Sequence, residues 1–200
     1  MQVLLINGSP HENGTTAAAL QIVANTLREH HIDSKIIWLG NRPVSDCIAC
    51  GACATHHRCV FNDDPVNAIL AQAATADAFV FGSPVYYAHP SGRLLSALDR
   101  LFYAGKANFT HKPAAAIAVA RRAGTTATLD VINKYFAMNQ MPVVGSTYWS
   151  QAYGRTAADL TQDHEGVQTL QNLAHNLAWL LQCLDAGRAR GILPPGNEHC

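Results

Sequence analysis

The stretch Val3-Leu4-Leu5-Ile6-Asn7-Gly8-Ser9-Pro10-His11-Glu12-Asn13-Gly14-Thr15-Thr16 decides how the chain reads. Its four leading apolar residues have the character of a strand buried on both faces. A helical pattern begins at Thr15 and runs to about His31, with Leu20, Val23 and Leu27 at helical spacing. Between them lies a glycine-bearing loop, which points backbone N–H groups at whatever sits before the helix.

Such a loop suits an anion. Ser9, Thr15 and Thr16 add hydroxyl donors. The loop has no lysine, so it is not GxxxxGK[ST], and it is not GxGxxG either. Neutral donors alone suit a single phosphate monoester, such as that of FMN. The plainer alternative is a β–α turn with a capping serine or threonine.

Outward from this stretch, short β-type runs alternate with helical patterns. Lys35–Leu39, Ala78–Phe81, Ala114–Ala120 and a run from Val143 to about Tyr148 read as strands. Asp64–Ala74, Ser91–Tyr103, Thr125–Met138 and His164–Asp185 read as helices, the last with Asp163 as N-cap. The alternation predicts a parallel sheet covered on both sides, and five βα units fit the strand order 2-1-3-4-5.

In that order the loops after strands 1 and 3 meet at the switch point where ligands bind. The second loop is Gly82-Ser83-Pro84-Val85-Tyr86-Tyr87, a second glycine–serine–proline turn. Its tyrosines offer an aromatic wall, or else are core residues. A third loop, Ala120-Arg121-Arg122-Ala123-Gly124, falls on the same sheet edge. An arginine there can stabilise a reduced flavin or a nucleotide phosphate, or simply face solvent.

Cys47, Cys50, Cys53 and Cys59 form a C-x2-C-x2-C-x5-C run. Four thiolates at short intervals can wrap one soft metal centre, and a [4Fe-4S] cluster is the best occupant by spacing. Zinc sites with four cysteines come as two separated CxxC pairs. His56 and His57 offer a substitute for Cys59, and unliganded thiols are the alternative. Cys183 falls in an apolar helical pattern and is expected in the core; Cys200 is the last residue and is expected to fray.

Composition sets the bounds. The 200 residues predict one domain, 1–200, with a cysteine-rich insertion at about 45–62. Lys+Arg and Asp+Glu are both 14, so nothing points to nucleic acid or to an anionic membrane surface. The N-terminus lacks a basic leader, and no apolar run is long enough to span a bilayer. The expected location is the cytoplasm, where clustered cysteines act as metal ligands or redox thiols.

These loops resemble the NADPH-dependent FMN reductase superfamily of the flavodoxin-like fold. GSPVYY…SGRLLSALDR is similar to that group's second flavin loop and following helix. The cysteine run, the FNDD after Cys59, VVGSTYW and DHEGVQT resemble the iron–sulfur flavoprotein subgroup. RRAGTT in the third loop and His11 after the proline depart from the usual Gly-Gly and basic residues.

The resemblance implies a flavodoxin-like three-layer sandwich and a flavoprotein oxidoreductase. Ser9, His11, Gly14, Thr15 and Thr16 would hold the FMN phosphate. Pro84, Val85, Tyr86 and Tyr87 would flank the ring, and Arg122, Ala123 and Gly124 would contact its pyrimidine side. NAD(P)H would be a transient co-substrate, and no protein acid or base is required. The acceptor would be a quinone, an azo or nitro compound, free flavin, or a one-electron protein carrier. A non-enzymatic FMN and iron–sulfur carrier and a cysteine-based redox sensor are the rival readings. A homodimer or homotetramer is expected.

Overall fold

The apolar run at the N-terminus becomes β1 (Gln2–Asn7), with a parallel neighbour on each side. The computed structural model describes residues 1–196. β2 (Asp33–Trp38) pairs with one edge of β1, and β3 (Ala78–Tyr86) with the other. β5 (Ala114–Ala120) follows β3, and β6 (Gln151–Tyr153) closes the far edge. The spatial order is β2-β1-β3-β5-β6, which is 2-1-3-4-5 among the parallel strands. A sixth strand, β4 (His89–Pro90), pairs antiparallel with the end of β3 and was not expected.

Alternation in β1 explains the layers. Leu4 and Ile6 face one core with Phe79, Phe81, Leu98 and Phe136. Val3 and Leu5 face the other with Leu20, Val23, Ile117 and Leu177. The helices on the first side are α3 (Val66–Ala73), α4 (Gly92–Phe109) and α5 (Thr125–Met138). On the second side lie α1 (Thr15–Glu29) and α6 (His164–Ala189). Small residues in β5 sit opposite a cluster of large rings, among them Phe79–Phe109 at 4.7 Å and Phe81–Phe136 at 5.4 Å between centroids. Small-against-large packing of this kind fills a core without strain.

Several sequence expectations are met closely. β5 and α5 run over the predicted residues, and the Asp163 side chain caps α6 by accepting from the Gly166 N–H at 3.0 Å. Two are corrected. The fifth parallel strand does not run from Val143 to Tyr148. Val143 makes a single bridge to Ala114, the chain swings away at Gly145–Trp149, and pairing resumes at Gln151. Pro142 and Gly145 bracket the apolar pair and stop it extending. Cys183 is exposed, not core. It lies two positions after buried Leu181, and helix neighbours at i and i+2 face different ways. Cys200 lies outside the described residues.

Candidate functional site

The first loop is pinned from within by Asn7, a fully buried residue at the end of β1. Its side-chain oxygen accepts from the Ser9 N–H at 3.0 Å, and its amide nitrogen donates to the carbonyls of His11 and Glu12. The Ser9 hydroxyl accepts from the His11 N–H at 3.1 Å. From β2, the Trp38 indole N–H donates to the Ser9 carbonyl at 2.8 Å. Gly14 is the N-cap of α1 and supplies no side-chain acceptor, so among the described residues no side chain caps the first-turn N–H groups of α1. Thr15 and Thr16 sit buried on that turn. An uncapped helix N-terminus with partial positive charge is an anion site.

Close approach joins the second loop to the first. The Gly8 N–H donates to the Gly82 carbonyl at 2.9 Å. A Cβ on Gly8 would lie 2.9 Å from the Leu94 Cβ, and one on Gly82 would lie 3.0 Å from the Thr16 methyl. Ser91, the N-cap of α4, ties both loops together. Its hydroxyl donates to the Gly8 carbonyl at 2.7 Å, and its N–H donates to the Ser83 hydroxyl at 2.9 Å.

Beyond Pro84, β3 and β4 form a hairpin whose turn residues, Tyr87 and Ala88, have φ of 51° and 59°. Two consecutive left-handed residues make the type I′ geometry that matches strand twist. Neither is glycine, so the turn carries backbone strain of the sort that collects at functional sites. Gly124, at φ 87°, packs beneath it; a Cβ there would lie 2.7 Å from the Ala88 Cα.

These loops enclose a cleft of about 800 Å³ at the C-terminal ends of the strands. Ser9, His11, Gly14, Thr15 and Thr16 line one end. Pro84, Val85 and Tyr86 line another wall. Tyr87 is fully exposed, and Arg122, Ala123 and Gly124 lie beyond the lining, which takes Val119, Ala120 and Arg121 from that loop. Neither tyrosine is a core residue.

The remaining wall was not foreseen: Trp38 at the end of β2, Asn41 beyond it, and Gly154–Ala157 after β6. Asp159 organises the latter turn. Its carboxylate accepts from the N–H groups of Arg155 and Thr156, both at 2.9 Å. The Thr156 N–H first, then that of Arg155, holds the Asp159 carboxyl below its ordinary range. Sequence signals for this wall were weak. Trp38 and Asn41 are single residues at and just beyond a strand end, and the 154–157 turn follows a strand that the sequence had placed too early.

The cysteine segment is irregular apart from the one-turn helix α2 (Cys53–His56). Its organiser is Arg100 of α4, 1% exposed. The guanidinium donates to the Cys59 sulfur at 3.1 Å, to the Ser45 carbonyl at 3.1 Å, and to both carboxylate oxygens of buried Asp64. Burial pulls the Arg100 pKa down, but the hydrogen bonds from Asp64 and Cys59 outweigh it and raise it above its ordinary value. Asn67 brackets Cys59, accepting from its N–H and donating to its carbonyl, both at 2.9 Å.

The two candidate cofactors fare differently against these geometries. The cleft fits FMN: it has the volume, an uncapped helix end for the phosphate and an open apolar wall for a ring. The cysteines have the right donor chemistry but do not converge. Among the described residues, no group of three or more Cys, His, Asp or Glu side chains is placed to hold a metal ion.

Comparison with known proteins agrees with the fold. The chain is 29% identical over 192 residues to an iron–sulfur flavoprotein of Methanocaldococcus jannaschii, covering 92% of this chain and 99% of that one. It is 27% identical over 192 residues to the iron–sulfur flavoprotein of Methanosarcina thermophila, covering 94% and 99%. An archaeal flavodoxin superposes with a TM-score of 0.61 at 14% identity, covering 91% of this chain and 99% of that one, so the fold is flavodoxin-like. The family model for NADPH-dependent FMN reductase matches residues 1–155, and the chain belongs to that family.

Proposed function

We propose that the protein is an FMN oxidoreductase that takes electrons from NAD(P)H and passes them to a small acceptor or a redox protein. The observation that carries this is the uncapped N-terminus of α1 opening into a cleft shared by both glycine–serine–proline loops. Family membership supports it.

FMN, when bound, supplies the hydride and electron chemistry. The chain supplies position and charge. Thr15 and Thr16, with the backbone after Gly14, hold the phosphate; Ser9 and His11 shape that end of the cleft. Pro84, Val85 and Tyr86 flank the ring, and Arg121 serves its pyrimidine side; Tyr87, Arg122, Ala123 and Gly124 lie outside the lining, with Gly124 packed under the Tyr87–Ala88 turn. Exposed Tyr86 leaves one wall open for a second planar molecule. The rival reading, a carrier that does not react with NAD(P)H, lacks an observation of its own.

A [4Fe-4S] cluster on Cys47, Cys50, Cys53 and Cys59 is the finer proposal. Spacing and the names of the two relatives, both iron–sulfur flavoproteins, support it. The segment as folded does not, so no electron step is routed through it.

The test is an anaerobic purification followed by a visible spectrum and NAD(P)H oxidation with an artificial acceptor. Flavin absorbance and turnover are expected. No flavin, and no affinity of the apoprotein for added FMN, overturns the reading; flavin without turnover favours the carrier.

A further inference from the structure

α4 and α5 leave an open groove of about 570 Å³ between their outer faces. It shares no lining residue with the cleft under the glycine loops. The rings of Phe102 and Tyr135, stacked at 5.8 Å, form its apolar lining. Tyr103 and Met138 stand beside them, 73% and 79% exposed. Single exposed apolar residues are ordinary, but two large ones bordering one apolar groove mark an interaction surface.

The charges on α4 identify what covers it. Asp99, Phe102, Tyr103 and Lys106 recur at i, i+3, i+4 and i+7, the spacing of one helix face. α4 leaves helical geometry at Gly105, yet all four residues line the groove. Along the helix the order is acid, ring, ring, base. A stripe in that order complements itself when a second copy runs antiparallel, because an isologous contact pairs residue i with j and j with i. A two-fold axis crossing α4 between Phe102 and Tyr103 sets Asp99 against the partner's Lys106, and Phe102 against the partner's Tyr103. The Tyr135 hydroxyl donates to one Asp99 oxygen at 2.6 Å and leaves the other for that ammonium. Lys134, the remaining charge on the lining, has Asp130 one turn before it on α5.

We propose that this groove is the contact face of a symmetric homodimer, with α4 packed antiparallel on α4 of a second copy. The partner's Tyr103 fills the groove over Phe102. Two Asp99–Lys106 pairs, one on each side of the axis, set the register, as flanking charges do between paired helices. A partner of uniformly acidic or uniformly basic surface would match only one end of the stripe. The same helix joins the interface to the cleft: Ser91, its N-cap, holds the Gly8 carbonyl and the Ser83 hydroxyl.

The test is sedimentation equilibrium of the full chain, with thermal unfolding as the check that each variant folds. The parent should be a dimer at micromolar concentration. Lys106→Glu puts a carboxylate opposite Asp99, and Asp99→Lys puts an ammonium opposite Lys106. Each variant alone should dimerise at least about tenfold more weakly than the parent. An equimolar mixture of the two should recover the dimer, because each copy then meets the opposite charge at both contacts. Tyr103→Asp, at an exposed position, should fold like the parent and lose the dimer; it keeps the test decisive if Asp99→Lys, which breaks the Tyr135 hydrogen bond, does not fold. Three results overturn the proposal. The parent is a monomer, as when a different protein covers the groove. Lys106→Glu and Tyr103→Asp dimerise like the parent, which puts the contact elsewhere. Or the mixture of folded variants associates no better than its components, which rules out the antiparallel pairing.

Discussion

The glycine–serine cleft is held by side chains from several elements, whereas the hydrogen bonds of the cysteine segment gather on two, Arg100 and Asn67. In the cleft, Asn7, Ser91 and Trp38 each fix a different stretch of loop, so no single contact carries the shape. In the cysteine segment, Arg100 gathers Ser45, Cys59, Phe61 and Asp64. It reaches only one of the four thiols. Around Cys47, Cys50 and Cys53 the backbone turns through left-handed residues at Ala49, Gly51 and His57. Distributed restraint presets a site for its ligand, while restraint gathered around Cys59 leaves the ligand to order the other three cysteines.

The largest expected effect removes Arg100. Arg100→Met leaves Asp64, 4% exposed, as an uncompensated buried charge. The expected cost is about 3–5 kcal/mol, measured by denaturant unfolding. The double variant Arg100→Met/Asp64→Leu should recover most of it, because removing both charges removes the penalty. Arg100→Lys should recover little, since a single ammonium cannot replace the fork. FMN affinity of the folded fraction should not move; a matching loss there would mean that the two regions are one cooperative unit.

The next effect attacks the cleft alone. Thr15→Asp places a carboxylate on the uncapped first turn of α1. The carboxylate takes the N–H groups and the positive end of the helix that a phosphate would use. FMN affinity should fall by about 100-fold, roughly the worth of two charge-assisted hydrogen bonds. Apoprotein stability should hold or rise. Fluorescence titration with FMN and with riboflavin separates the causes, because riboflavin has no phosphate and should bind both forms alike.

Iron and sulfide analysis sharpens the other side. If the cysteine run holds a cluster, anaerobic protein should carry about four iron and four sulfide per chain. Cys47→Ser, Cys50→Ser and Cys53→Ser should each lower that content, with FMN retained. Iron-free protein that still binds FMN and oxidises NAD(P)H would leave the cysteines as plain thiols.

The sequence was most legible where one physical rule acts locally. The Val3–Ile6 run has the character of a strand buried on both faces and is one, and the glycine two residues after it is required by the contact with Leu94. The α6 cap at Asp163 was readable because capping is decided by neighbours three residues apart. Legibility failed where partners come from far along the chain. Trp38 reaches Ser9 across 29 residues, and Arg100 reaches Cys59 across 41. Residues 143–149 misled because β-propensity reports packing against neighbours, and there the strand neighbour is lost after Val144.

The smallest effect tests the wall that the sequence did not reveal. Asp159 is exposed, so its grip on the Arg155 and Thr156 N–H groups is screened by solvent. Its carboxyl titrates lower in the folded protein than in the unfolded chain. Its contribution is therefore complete above the ordinary aspartate range and is lost as pH falls through the lowered folded value. Asp159→Asn should weaken FMN binding only a few-fold at neutral pH, because one neutral acceptor replaces a charged one. The FMN phosphate itself titrates near ~6 in both proteins, so the informative quantity is the ratio of their affinities. That ratio should be flat from neutral pH down to the aspartate range, then close towards one below it. A ratio of one at every pH would mean that the Gly154–Ala157 turn borders the cleft without touching the flavin.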